Sequence, residues 1–217
     1  MAECVGTAFL LLAVIGSGIM AERLSTDTGL VLFQNAFATA GALLALILAF
    51  GGVSGAHFNP VVTLAQWSLG AIDRSTAAGY VAAQFIGAVV GAMAANIIFE
   101  LDAVNVSTRD RSSIALLISE VIATFGLLLV IHGVVRSEQS ERQSPTAVAL
   151  AVAGYIGGAY YFTSSTSFAN PAVTVARTLS NTFAGIEPAS APGFIAAQLL
   201  GAAIAIALIK FLWPTQR

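Results

Sequence analysis

Two short stretches carry the residues whose types and spacing could do chemistry. They are His57-Phe58-Asn59-Pro60-Val61 and Ser167-Phe168-Ala169-Asn170-Pro171-Ala172, each an Asn-Pro step opening an apolar segment. Asparagine is a favoured N-cap and proline is favoured at the first helical position, so each step reads as a helix start. The segments that follow, 61–69 and 172–179, are too short to cross a bilayer, which needs about 20 residues. They read as half-helices, and within a membrane a half-helix is tolerated only where its free end faces a polar cavity. Its N-terminus carries partial positive charge on unpaired N–H groups, and a capping Asn whose carbonyl faces the helix turns its amide donors outward. The chemistry on offer is hydrogen-bond donation along a pathway. Bond-making chemistry is not: no paired carboxylates, His cluster or Gly-rich phosphate loop with a Lys fall within reach of one another, so the chain reads as no enzyme.

The elements that position these stretches belong in a membrane. The 217 residues are 57% apolar and 9% charged, against about 25% charged in soluble domains. A net charge of -2 argues against a nucleic-acid surface, and a single cysteine, Cys4, excludes an intrachain disulfide and any Cys-based metal site. No cofactor or metal is expected. Spans of membrane length occur at 4–21, 30–50, 77–99, 114–135, 147–162 and 193–213. Ser75, Ser113 and Ser144-Pro145 read as helix starts and Pro214 as a stop. The first span has no positive leader segment and reads as a retained helix. Linkers are short, the longest polar ones being 100–113 and 136–144, so the activity is expected in the membrane.

Spans one to three and four to six are copies. Glu3-Cys4-Val5-Gly6-Thr7 matches Glu120-Val121-Ile122-Ala123-Thr124, and Ala82-Ala83-Gln84-Phe85-Ile86-Gly87 matches Ala196-Ala197-Gln198-Leu199-Leu200-Gly201. An odd number of spans per copy makes the second enter from the opposite side. The chain 1–217 thus reads as one domain of inverted repeats, approximately 1–110 and 111–217, with the pathway at their interface near the midplane.

With Ser54-Gly55-Ala56-His57-Phe58-Asn59-Pro60 and a second Asn170-Pro171-Ala172 inside an inverted repeat, the sequence resembles the major intrinsic protein family, the aquaporins and aquaglyceroporins, over its whole length. That resemblance implies an all-α bundle of six tilted transmembrane helices with two half-helices meeting tip to tip. It also implies a pore in each monomer of a homotetramer, in the inner (plasma) membrane, with cytoplasmic termini. Lys and Arg support that orientation only narrowly, Arg74, Arg136, Arg142, Lys210 and Arg217 lying on one side and Arg23, Arg109, Arg111 and Arg177 on the other. The pore motif would be Asn59, Pro60, Val61, Asn170, Pro171 and Ala172.

Carried over by offsets from the two asparagines, the family's selectivity filter falls on Thr39, Gly158, Ser167 and Val173. The position of Val173 is usually Arg in that family, so the filter is expected to be wide, nearly uncharged and Arg-free. The expected function is a passive channel for small uncharged solutes and water, the solutes being glycerol, urea, neutral metalloid hydroxides or methylated arsenicals. Arg177, four residues on, either restores the charge from a vestibule or snorkels to the interface, pairing with Glu187 or an acid of 100–110; the sequence favours the second. Phe168 and His57 are further vestibule candidates, His57 reading either as a pH-sensitive gate or, preferentially, as a neutral loop anchor. His132 reads as interfacial. Glu3 and Glu120 read as structural acids that accept hydrogen bonds from the irregular backbone before each half-helix. Gly87 and Gly91, and Gly154 and Gly158, have the spacing of close helix packing. The alternatives are a water-selective pore closed by Phe168 or Arg177, a proton-coupled transporter working through Glu3 and Glu120, and a non-conducting structural protein.

Overall fold

The computed structural model describes residues 1–138 and 145–213. Among them the chain forms eight helices: α1 (Ala2–Leu24), α2 (Thr28–Ser54), α3 (Pro60–Ser68), α4 (Arg74–Ile98), α5 (Ile114–Glu138), α6 (Pro145–Phe162), α7 (Pro171–Arg177) and α8 (Ala191–Leu212). The helices α1, α2, α4, α5 and α8 are each long and apolar enough to cross a bilayer, and α6 is apolar over a shorter run. The two short helices are α3 and α7, each opening on its Asn-Pro step.

Local signals set most of the boundaries. Asp27 caps α2, its carboxylate accepting from the Leu30 N–H at 2.9 Å. The cap of α4 is Asp73 rather than Ser75: the carboxylate takes the Ser75 and Thr76 N–H groups at 2.8 and 2.9 Å, and Ser75 lends it a hydroxyl. An ionised acid at a helix N-terminus outcompetes a hydroxyl two residues later, because it satisfies more orphan donors and meets the helix dipole. The Ser75 hydroxyl, followed by that of Thr76, holds the Asp73 carboxyl well below the usual carboxylate range. Ser113 opens α5 as expected, its carbonyl and hydroxyl both receiving the Leu116 N–H. The expected signals at Ser144 and Pro214, and the charges Arg142 and Arg217, lie outside the described residues.

The two halves pack alike. α1 lies along α4 and α5 along α8, while α2 and α6 face each other across the halves and α3 touches α7 at the centre. Small residues permit this closeness. A Cβ at Gly87 would strike the carbonyl of Cys4 and one at Gly91 that of Ala8, so α1 and α4 touch backbone to backbone; Gly201 meets the Val121 carbonyl in the same way. Gly154 and Gly158 do not follow: both are exposed, and nothing in the described chain packs on Gly154. Large apolar side chains such as Phe37, Ile114 and Phe211 point outward, which in a membrane places them in lipid. The apolar core lies between the helices and closes around the half-helix tips.

Candidate functional site

Each half-helix is held at its tip by a matching pattern of bonds, with one more at the second. Asn59 Oδ1 accepts from the Val61 N–H at 3.0 Å, and Asn170 Oδ1 from those of Ala172 and Val173 at 3.0 and 3.2 Å. Each amide then reaches across the centre: Asn59 Nδ2 donates to the Ala169 carbonyl at 2.7 Å and Asn170 Nδ2 to the Phe58 carbonyl at 2.8 Å. The loops before them hold non-glycine residues at positive φ, Ala56 and Phe58 in one, Ser167 and Ala169 in the other. Such backbone is costly and persists only where its surroundings over-determine it.

The two acids supply that support. Glu3 accepts from the His57 and Phe58 N–H groups at 3.1 and 2.7 Å, and Glu120 from those of Phe168 and Ala169 at 2.9 and 2.8 Å. Gln84 and Gln198 repeat one another, donating to Glu3 and to Glu120 at 2.8 and 2.6 Å and each also to a threonine of the half-helix. Both carboxylates are buried, saturated with donors and absent from the cavity wall. They hold the loops in place and have no contact with the pathway.

One cavity of about 480 Å³ runs from Gln66 and Val135 at one end, past Asn59 and Asn170, to Tyr160 and Arg177 at the other. Its walls are mostly apolar, with Leu43, Ile47, Val152 and Ile156 among them, and no Asp or Glu among the described residues lines it. Of the residues expected at a filter, Thr39, Ser167 and Val173 line this space. The Ser167 hydroxyl is buried and has no hydrogen-bond partner among the described residues.

Gly158 does not line the cavity; it is exposed on the outer face of α6. Val152, Ile156 and Tyr160 share the inward face at helical spacing, and a residue two positions from Ile156 points the opposite way. Tyr160 takes the expected place, its hydroxyl 3.1 Å from that of Thr39. The glycine opening anticipated there is a phenol.

Arg177 also departs from the favoured reading. It is 2% exposed and lines the cavity. Its Nε donates to the Ala184 carbonyl, and its guanidinium lies over the Phe168 ring at 3.4 Å from the centroid. It neither snorkels nor pairs with Glu187, whose carboxylate takes the Ser190 hydroxyl instead. The valine at position 173 is thus followed, one turn further along α7, by an arginine that lines the same cavity. Arg111 approaches the same ring at 5.1 Å and binds the Gly185, Ser165 and Phe183 carbonyls. Burial, and then the nearby Arg109, bring its guanidinium down to about 10, so it stays cationic at neutral pH.

At the opposite end His57 lines the cavity, with Nδ1 3.0 Å from the Thr63 hydroxyl and its ring edge-on to Tyr80. The other histidine, His132, packs against Trp213 and stays out of the cavity. Sequence reasoning missed Tyr160, Gln66 and Arg111. Tyr160 was legible from its spacing to Ile156, and Gln66 from sitting at the same offset after Asn59 as Arg177 after Asn170. Nothing local marks Arg111, whose partners come from distant loops.

Comparison with known proteins agrees with this architecture. The sequence model of the Major intrinsic protein family matches residues 1–157 and 117–217. The aquaglyceroporin AqpS of Rhizobium meliloti is 44% identical over 217 residues, covering 100% of this chain and 91% of that protein. The probable aquaporin AqpM of Archaeoglobus fulgidus is 33% identical over 191 residues, 83% of this chain and 76% of the relative. The X-ray structure of the aquaglyceroporin from Plasmodium falciparum superposes with a TM-score of 0.76 at 21% identity, covering 98% of this chain and 95% of the other. With its apolar helices this makes the chain an integral, multi-pass membrane channel for small solutes, and it belongs to the major intrinsic protein family.

Proposed function

We propose that the channel passes small uncharged solutes, namely glycerol, urea and neutral metalloid hydroxides or methylated arsenicals, together with water, by downhill diffusion. The observation that carries this reading is the cavity wall, in which a few polar residues, Thr39, Asn59, Ser167 and Asn170, stand among mostly apolar ones such as Leu43, Ile156 and Val173. A solute with oxygens on one side and carbon or metalloid on the other loses hydration on entering, and Asn59, Asn170 and Ser167 replace part of it. Val173 and the aliphatic wall take the other face. The name of the Rhizobium relative points the same way. Inverted repeats, a homotetramer and cytoplasmic termini in the inner membrane complete the proposal, on the resemblance to the family.

A second reading is favoured by one observation. Arg177, Phe168 and Tyr160 all line the cavity, and bulky groups at one level would close it to everything but water. Stopped-flow light scattering on proteoliposomes, shocked in turn with sucrose, glycerol, urea and a neutral arsenical, separates the two. Fast re-swelling with the larger solutes supports the solute channel. Water flow without re-swelling supports the water-selective pore.

A further inference from the structure

The geometry points to Arg177 as the residue that sets charge selectivity in this channel, with Arg111 as the residue that positions it. The inference rests on the channel reading and concerns which side chain decides what that channel refuses.

Arg177 is a buried cation with no acidic partner among the described residues. Its one hydrogen bond there uses Nε, leaving the terminal N–H groups without a protein acceptor. They belong to a side chain that lines the cavity, so the acceptors they lack are supplied by what passes through. A fixed charge in a low-dielectric passage is weakly screened and raises the barrier to any cation, whereas an uncharged solute with lone pairs gains hydrogen bonds.

That side chain is held rigidly. Phe168 occupies one face of the guanidinium, and the Ala184 carbonyl fixes its edge. Both supports are tied down by Arg111. Its own guanidinium lies over Phe168, and it ties together Phe183 and Gly185, which flank Ala184 in the chain, and Ser165, three residues before Phe168. Arg111 itself does not line the cavity. It acts on selectivity through the ring and the loop.

The other end of the cavity supplies an internal comparison. Gln66 stands at the same offset from its asparagine as Arg177 does, and it too lines the cavity. The same site in the companion half is therefore filled by an uncharged side chain of similar reach, which makes Arg177→Gln a substitution of a kind the fold already carries.

The test uses full-length protein in proteoliposomes, with three readouts: glycerol re-swelling, proton leak by a trapped pH dye under charge clamp, and methylammonium uptake. Arg177→Gln is expected to raise the proton and methylammonium rates about tenfold relative to the glycerol flux of the same vesicles, since loss of one nearby unit charge is worth at least that much. Arg177→Lys should recover part of the exclusion. Arg111→Gln should raise the same leaks in the native background and raise them much less in the Arg177→Gln background, because its positioning effect runs through Arg177 and only its own more distant charge remains. A purely structural role for Arg111 would lower glycerol flux and thermal stability equally in both backgrounds and overturn the positioning assignment. Native protein that conducts glycerol, with Arg177→Gln leaving both cation rates unchanged, would overturn the selectivity assignment alone. Native protein that conducts no neutral solute would overturn the channel reading and this inference with it.

Discussion

Val173 and Arg177 face one cavity from successive turns of α7, so on the proposed reading the size and the charge of the passage at this level fall to different residues. Substituting Val173→Arg places a second guanidinium beside the first and fills the aliphatic face. Glycerol re-swelling should fall about tenfold, the effect of roughly 1.4 kcal/mol on the barrier, while water flow persists. Equal loss of both would count against a filter at this level. The α6 side of the passage gives a sharper comparison. Tyr160→Ala removes a ring from the cavity and breaks its bond to Thr39, and it should speed glycerol and admit longer polyols. Gly158→Ala, on the outer face, should leave the solute series unchanged in the same assay. The opposite pattern would restore Gly158 to the pore. What hid these residues from the sequence is specific. Placing Gly158 required an offset carried across a long helix, where a shift of two residues turns a side chain to the far side. Arg177 looked costly to bury because its partners, the Phe168 ring and the Ala184 carbonyl, are local to no motif.

At the scale of elements, the half-helices depend on two carboxylates more than on their own sequences. Glu120 takes two backbone N–H groups and the Gln198 amide; Glu120→Gln keeps one acceptor and points an extra donor at donors. Charge-assisted bonds of this kind contribute about 1.5–3 kcal/mol each, so the variant should melt well below the native protein in detergent, with α7 as the mobile element. Glycerol uptake, in native protein or in what folds of the variant, should be indifferent to an imposed pH gradient. A gradient-driven rate abolished by the substitution would revive the coupled transporter. The helix packing makes a second demand: Gly91→Leu would force α1 off α4 against the Ala8 carbonyl, and a sharp fall in folded, detergent-stable protein is expected on size-exclusion chromatography. Elements of this order were largely legible. Apolar runs located the long helices because hydrocarbon tolerates little else, and the Asn-Pro steps located α3 and α7 because cap and first-turn preferences coincide there. The exceptions have physical causes. Asp73 displaced Ser75 as a cap by electrostatics that residue preference alone does not weigh, and Gly154 and Gly158 repeat a packing spacing without a helix among the described residues to meet them.

Across the whole molecule the two halves build the same frame and furnish it differently. Where one half has His57, Tyr80 and Gln66 about its mouth, the other has Phe168, Phe194 and Arg177, and Arg109 and Arg111 gather near that second mouth through their contacts with Phe183 and Phe168. The lining is therefore polarised: it carries a cationic side chain at the Arg177 end, and Gln66, Gly51, Gly52 and Gly55 at the other. The half-helix N-termini at its centre add positive potential midway. A small apolar cation such as tetramethylammonium thus meets its main barrier at the first step from the Arg177 side. From the Gln66 side it can advance into an open, mostly aliphatic vestibule before the centre repels it. It should then obstruct neutral solutes without crossing. The expected result in vesicles of known sidedness is inhibition of glycerol efflux from one face only. Relief of the asymmetry by Arg177→Gln would identify its source, since that change makes the two mouths alike in charge at the equivalent position. Inhibition of equal strength from both faces, in native protein, would mean that the fixed charges at the Arg177 end do not reach the passage, and that apolar wall and donor geometry alone govern what it admits.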